Sequence, residues 1–312
     1  MAAVLDPFIL QYAPGPLAEL DPAILRARGD VAAFLETMAQ LDDSSLAFQW
    51  FWDGNDINVR YAFYRALEVL SAAESAARLA LAGAPSSEAR EAAAATDAAR
   101  WDTDGLLVSL NDADLDGDPG NAEWTIRQTM AHMINGQRGY AWGSAAWLSV
   151  RDKPRAEGPQ RLPEEMFNDL PEEDQEARGS LAEVRQELAD IIDATSSRYA
   201  TLTDDEMGVR SGWYGFPVTV GFRQWRWSSH VSEHTVQVEK TLDMLGEGQS
   251  EVARLTRLVA RAYGRLESVV FYREGASASA GAPILDGVAA ELRNIRETVP
   301  AAIEAGVPAN ND

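Results

Sequence analysis

The chain has 312 residues, 46% of them hydrophobic, no cysteine and a formal charge of −22 at pH 7. The missing cysteine excludes disulfides, thiolate metal ligands and a nucleophilic thiol of the chain's own. So acidic a chain is also a poor partner for nucleic acid and anionic lipid. No apolar run approaches membrane-spanning length, and the start, Met-Ala-Ala-Val-Leu-Asp-Pro, lacks the features of a signal peptide, so a cytoplasmic location is expected. Abundant alanine with short valine and isoleucine runs favours an all-α fold, as one large domain or two intimate ones. Lys153 and Lys240 are the only lysines beside many arginines, which suggests a GC-rich bacterial genome.

After a proline-bearing start, the periodicity predicts a first helix from about Ala23 to Leu41. A loop with Trp50, Phe51, Trp52 and Asp53-Gly54-Asn55 follows, then a helix from about Ile57 to Ala82. Ser86 or Ser87 caps a third, from about Glu88 to Leu110. The stretch Asn111 to Asn121 is acidic. Its Asp112, Asp114, Asp116 and Asp118 raise a calcium loop, set aside here for a solvated inter-helix connection. A strongly helical segment runs from Trp124 to Leu148. The charged, proline-bearing stretch Arg151 to Arg178 reads as a surface connection, a lid or an interface arm. Leu181 to Leu202 is the next helix, Gly208 to Gly221 a short hairpin or structured loop, and Phe222 to Leu245 another helix. Helices from about Glu251 to Tyr272 and Ile284 to Ile303 flank a Gly275–Pro283 linker, and the tail after Gly306 is expected to fray.

The chain's three histidines carry the chemistry. His230 and His234 lie four residues apart on one helix, where two imidazoles can share a metal ion, and His132 lies on another helical segment. The reading is one three-histidine divalent metal centre between two helices. On the His132 face, Gly136, Gly139 and Gly143 fall on one stripe. Each costs roughly 1 kcal/mol relative to alanine inside a helix. Either another helix packs close there, or a groove is left beside the metal for a small-molecule substrate. Gln128 and Asn135 are polar groups on the same helix suited to substrate contact. On the partner helix, Arg223 and Arg226 either hold a substrate carboxylate or pair with surface acids, and Trp227 either walls a pocket or fills core. Glu233, between the histidines, is a candidate base, fourth ligand or imidazole-orienting acceptor. His-Val-Ser-Glu-His differs from the zinc-protease His-Glu-x-x-His in where the glutamate points, so proteolysis is not expected.

The same residues carry a resemblance. Glu123-Trp124-Thr125-Ile126-Arg127-Gln128-Thr129-Met130-Ala131-His132 resembles the second-helix signature of the DinB-like superfamily. His230-Val231-Ser232-Glu233-His234-Thr235-Val236-Gln237-Val238 is similar to its fourth-helix signature. The resemblance implies a four-helix bundle with one long crossover, binding zinc or nickel through His132, His230 and His234. Relatives include mycothiol-dependent maleylpyruvate isomerase and bacillithiol or mycothiol S-transferases. In these the metal activates the thiol of a low-molecular-weight cofactor.

The implied architecture is an all-α bundle with extra N- and C-terminal helix pairs. Residues 87–246 form the metal-binding bundle, and residues 247–312 form a pair packing with the one in 1–86. The flanking pairs are a degenerate second bundle, a cover or a homodimer interface. Ile57 to Arg65 faintly echoes Trp124 to His132, with Arg65 where the histidine would fall. The function implied is metal-dependent transfer of a thiol, or of water, to an electrophilic small molecule. The alternative is a binding or stress-response protein with a structural or vestigial site.

Overall fold

The computed structural model describes residues 9–10, 15, 21–152, 172–274 and 279–309. The expectations for most of the proline-bearing start, for Lys153 to Pro171 of the surface connection and for residues 275–278 of the linker lie outside them.

Among the described residues the architecture is all-α with two short hairpins. In chain order the elements are α1 (Pro22–Ala39), β1 (Gln49–Trp52), β2 (Asn55–Asn58), α2 (Arg60–Ala80), α3 (Glu88–Leu107), α4 (Ile126–Ser149) and α5 (Leu181–Tyr199). After these come the single-turn α6 (Asp204–Met207), β3 (Arg210–Trp213), β4 (Phe216–Thr219), α7 (Val220–Leu245), α8 (Glu251–Glu274) and α9 (Ala282–Ala305). The helix ends carry the chemistry that helix termini require. Asp21 caps α1 ahead of Pro22, and Ser180 with Glu183 forms a reciprocal capping box on α5. Gly246 and Gly306 close α7 and α9 in the left-handed conformation.

The chain divides into two compact units. The first holds Met1–Glu19, Pro85–Arg100 and Asn111–Glu247, and the second holds Leu20–Ala84, Trp101–Leu110 and Gly248–Asp312. The division thus falls within α3, whose last residues group with the terminal helices, where the sequence reading drew boundaries after 86 and 246.

In the first unit α4 packs on α5 and on α7. Ile126, Met130, Met133, Ile134 and Ala141 of α4 meet this core with Val184, Leu188 and Ile191 of α5 and Trp227, Val231 and Val238 of α7, all fully or almost fully buried. Burying each such large side chain is worth on the order of 1.5–3 kcal/mol. Two polar groups carried inside are paired: the Tyr199 hydroxyl donates to the Ala141 carbonyl at 2.6 Å, and Gln137 donates to Thr195 at 2.7 Å.

In the second unit α9 packs on α1 and α2, and α8 also packs on both. The terminal helices therefore form one bundle. Phe34 of α1 meets Phe63 of α2 edge to face at 6.5 Å, and Arg28 of α1 holds the fully buried Glu267 of α8.

The two hairpins repeat one another. β1–β2 turns at Asp53-Gly54 and β3–β4 at Tyr214-Gly215, all four residues at positive φ, as a two-residue hairpin turn requires. The sequences align as Trp52-Asp53-Gly54-Asn55-Asp56-Ile57-Asn58-Val59 and Trp213-Tyr214-Gly215-Phe216-Pro217-Val218-Thr219-Val220. The closing hydrogen bonds match as well: Val59 N donates to Phe48 O and Val220 N to Val209 O, both at 2.9 Å. Asn58 Oδ1 accepts from Tyr61 N, and Thr219 Oγ1 from Phe222 N, each opening the following helix. Ile57 to Arg65 therefore corresponds to Val218 to Arg226, and the expected echo of Trp124 to His132 is displaced by this closer match. The segment read as a loop around Trp50 is the first hairpin.

The acidic stretch from Asp112 to Glu123 follows the calcium-loop spacing, with Gly117 sixth and Glu123 twelfth. Geometry decides the point. Asp112 Oδ1 accepts from Leu181 N at 2.8 Å, Asp116 grips Arg127, Asp114 caps Asn111 N, and Glu123 pairs with Lys240 at 2.6 Å. The carboxylates face four different partners and tie the connection between α3 and α4 to its surroundings.

Candidate metal centre

α4 begins at a capping box, in which Thr125 Oγ1 accepts from Gln128 N and Gln128 Oε1 accepts from Thr125 N. Two turns on, it presents His132. α7, launched by the second hairpin, presents His230 and His234 one turn apart on the same face. The three imidazoles converge. His230 Nε2 lies 3.2 Å from His132 Nε2 and 3.1 Å from His234 Nε2, and one ligand atom from each ring falls within 4.8 Å of the others. Four nitrogens around a tetrahedral ion with bonds of about 2.0–2.1 Å would stand about 3.3 Å apart.

The outer nitrogens set the proton count. His132 Nδ1 lies 2.9 Å from Glu173 Oε2, and His234 Nδ1 lies 2.8 Å from Gln237 Oε1. Both acceptors require the proton on Nδ1, which leaves both Nε2 lone pairs bare and pointing inward. His230 can donate its single Nε2 proton to one neighbour, so at least one pair of lone pairs faces the other unrelieved. A cation is the group that satisfies all three. Burial holds His230 neutral: the ring is only 4% exposed, and desolvation, with its two histidine neighbours, pushes its pKa down to about 3. His234 is lowered in the same sense, chiefly by burial. Among the described residues no carboxylate joins the group.

The glycine stripe resolves into three separate local roles. A Cβ on Gly136 would lie 2.5 Å from His230 Cε1, so this glycine is what lets α4 and α7 approach at the metal centre. A Cβ on Gly143 would lie 3.0 Å from Arg223 Nη1, making room for that guanidinium. Among the described residues, a Cβ on Gly139 would meet nothing within 4 Å, leaving open space on that flank of α4. Of the alternatives raised by the sequence, close approach of another helix occurs at Gly136.

The other candidates separate in the same way. Arg223 is buried, donates to Ser211 Oγ at 2.8 Å and to the Gly212 carbonyl, and lies over the Trp213 ring. Burial pulls its pKa down to about 10. Its guanidinium is committed to the hairpin. Arg226 makes a bidentate pair with Glu233, 2.7 Å at both contacts, and donates to Ser229. Glu233 is therefore held on Arg226 and does not join the three histidines. Trp227 is 1% exposed and packs edge-on against Tyr199, as core. Gln128 is spent on the helix cap, and Asn135 is half-buried.

Three further residues line the centre without having been singled out for it. The Trp124 ring lies tilted 5.0 Å from the His132 ring and stacks on His234 at 6.4 Å. Tyr140 stands edge-on to His230 at 5.2 Å, its phenol pushed up to about 12 by burial, so it remains a hydrogen-bond donor at neutral pH. Glu173 holds His132. Trp124 starts the very motif that marks the helix, and Tyr140 lies two turns beyond His132 on its face. Glu173 carries no local signal, being 41 residues from its partner.

Residues 95–238 match the family model of the DinB superfamily. No curated protein and no solved structure is significantly similar to the chain. Among the described residues, no helix is long and apolar enough to cross a membrane.

Proposed function

Because residues 95–238 match the family model of the DinB superfamily, we propose that the chain is a metal-dependent enzyme acting on a small electrophilic molecule. His132, His230 and His234 would hold one divalent ion, zinc or nickel, which when bound lowers the pKa of a thiol or water at its remaining positions. The observation that carries the reading is a donor set of three facing imidazoles, with no carboxylate among them in the described residues. A site closed for structure takes four protein ligands; three leave a position for an exchangeable group.

The surrounding residues suit that use. Gly139 leaves space on the His132 side of α4. Trp124 stacks on the face of His234, leans against His132 and limits water there. Tyr140, protonated at neutral pH, is a donor for a developing oxyanion beside His230. Arg226, neutralised by Glu233, orients that carboxylate beside the centre. The nucleophile favoured is a low-molecular-weight thiol of the mycothiol or bacillithiol kind. The reading rests here on the family and on the absence of cysteine, which requires any thiol to come from outside.

Cobalt-substituted protein titrated with such thiols tests this. A thiolate-to-cobalt charge-transfer band in the near ultraviolet, lost in His234→Ala, is expected. A cobalt spectrum indifferent to every thiol would remove thiol transfer and leave water as the activated group.

A further inference from the structure

We propose that Glu173 is the positioning residue that fixes the orientation and tautomer of His132, and that residues 172–179 form a strap built to hold it there. The inference rests on the three-histidine reading of the metal centre.

The three histidines are secured by different means. His230 is enclosed, with Gly136 against its ring. His234 is held by Gln237 from its own helix, three residues on. His132 has neither: its side chain is 31% exposed, and its Nδ1 partner comes from beyond α4. A half-exposed imidazole with a free Nδ1 can carry its proton on Nε2, which would aim an N–H at the ion. An acceptor at Nδ1 removes that tautomer and raises the basicity of the ligating nitrogen.

Glu173 sits in a single 3-10 turn, Glu173–Gln175, which has no hydrophobic residue to anchor it. The residues just after it do the anchoring. Arg138 of α4 holds Glu176 at 2.9 Å, a pair with side chains only 11% and 5% exposed. Arg127, itself fixed by Asp116, donates to the carbonyls of Ala177 at 2.6 Å and Gly179 at 3.0 Å. Glu187 of α5 accepts from Ala177 N at 3.2 Å. Ala177 and Gly179 both adopt positive φ, which costs on the order of 1 kcal/mol at a residue with a side chain. A buried ion pair is likewise weak evidence of stabilisation, since desolvation consumes much of its attraction. Neither feature explains itself as stability. Together they tie the backbone to α4 on both sides of His132, through Arg127 before it and Arg138 after it, and so fix where the Glu173 carboxylate stands. The sequence places the strap in a charged connection; the structure places its first turn on the metal centre.

The test compares Glu173→Ala and Glu173→Gln with the native chain in two ways. In metal-free protein, long-range nitrogen–proton NMR should show His132 as the Nδ1–H tautomer in the native chain and in Glu173→Gln, whose amide oxygen still accepts. In Glu173→Ala it should become a mixture. By zinc competition against a chromophoric chelator, Glu173→Ala should bind roughly 10- to 100-fold more weakly, and Glu173→Gln should recover most of that loss. The same tautomer and affinity in Glu173→Ala as in the native chain would overturn the inference. So would an equal loss in both variants. A native chain that takes up no zinc, with the tautomer pattern intact, would instead count against the enzyme reading alone.

Discussion

Trp52-Asp53-Gly54 and Trp213-Tyr214-Gly215 make the same turn, close with the same hydrogen bonds and launch a helix at the same step, yet the two helices then diverge. α7 carries Arg226, His230 and His234; the corresponding residues of α2 are Arg65, Val69 and Ala73. Arg226 turns to Glu233 of its own helix, whereas Arg65 reaches Glu291 of α9 at 2.7 Å. The packing order is shared too. α4 packs on the helix before its hairpin and the helix after it, and α9 does the same with α1 and α2. Read as α8, α9, α1, hairpin, α2, the second unit has the order of parts of the first, with the chain entering it midway. A common scaffold does not by itself make the histidine cluster. Five positions build it, the three histidines with Gly136 and Glu173, and of these only the α7 pair can be matched to residues on α2.

The comparison can be sharpened by substitution. The largest effect is expected at Gly136. Alanine there would drive a Cβ to within 2.5 Å of His230, so Gly136→Ala should weaken zinc binding by at least ~10-fold, one displaced ligand being the cost. Gly139→Ala, a control on the same helix, should leave affinity unchanged and stabilise α4 by up to about 1 kcal/mol in urea unfolding. Equal behaviour of the two glycines would break the assignment of their roles.

The turns come next. Gly54 and Gly215 have positive φ, and a Cβ on either would touch nothing. Gly54→Ala and Gly215→Ala should therefore each cost about 1–2 kcal/mol from backbone strain alone. A marked inequality in denaturant unfolding would mean that the hairpins are alike in sequence but not in structural weight.

The smallest effect is a pH dependence confined to the first unit. Burial, and the neighbouring Glu176, push the Glu187 carboxyl up to about 7. The folded state thus binds a proton that the unfolded chain has released above its ordinary pKa of about 4.3. The stability tied to that proton is present below about pH 4, declines as pH rises and is gone above about 7. Glu187→Gln should therefore raise the melting midpoint by roughly 2 °C at pH 8, solvent screening keeping the gain small. At pH 4 it should do nothing. A gain of the same size at both pH values would show that the cost of a charge on Glu187, half-buried beside Glu176, is not its origin.

The histidine centre was legible because four-residue spacing on a helix is a geometric statement, and because Trp124 to His132 and His230 to Val238 are long motifs. The helices were legible from periodicity to within a few residues. The first hairpin was missed although Asp53-Gly54 is a strong turn signal, since four-residue strands rich in tryptophan show no alternation to count. Gly136, Gly139 and Gly143 were seen as a stripe, but only coordinates assign one to His230, one to Arg223 and one to open space. The Asp112 to Glu123 spacing errs in the opposite direction: it satisfies a calcium-loop pattern while each carboxylate is engaged elsewhere. Glu173 was beyond reach, because a contact between a helix and a distant charged connection leaves no trace in local sequence.

The central claim is that α7 completes a metal centre and α2, its structural counterpart, does not. Metal content by mass spectrometry should be measured on three untagged proteins: the native chain, His234→Ala, and the double variant Val69→His, Ala73→His. About one transition-metal ion per chain in the native protein, none in His234→Ala and still one in the double variant would agree with the account. A native chain without metal after incubation with zinc and nickel, or a His234→Ala variant that keeps its ion, would contradict it.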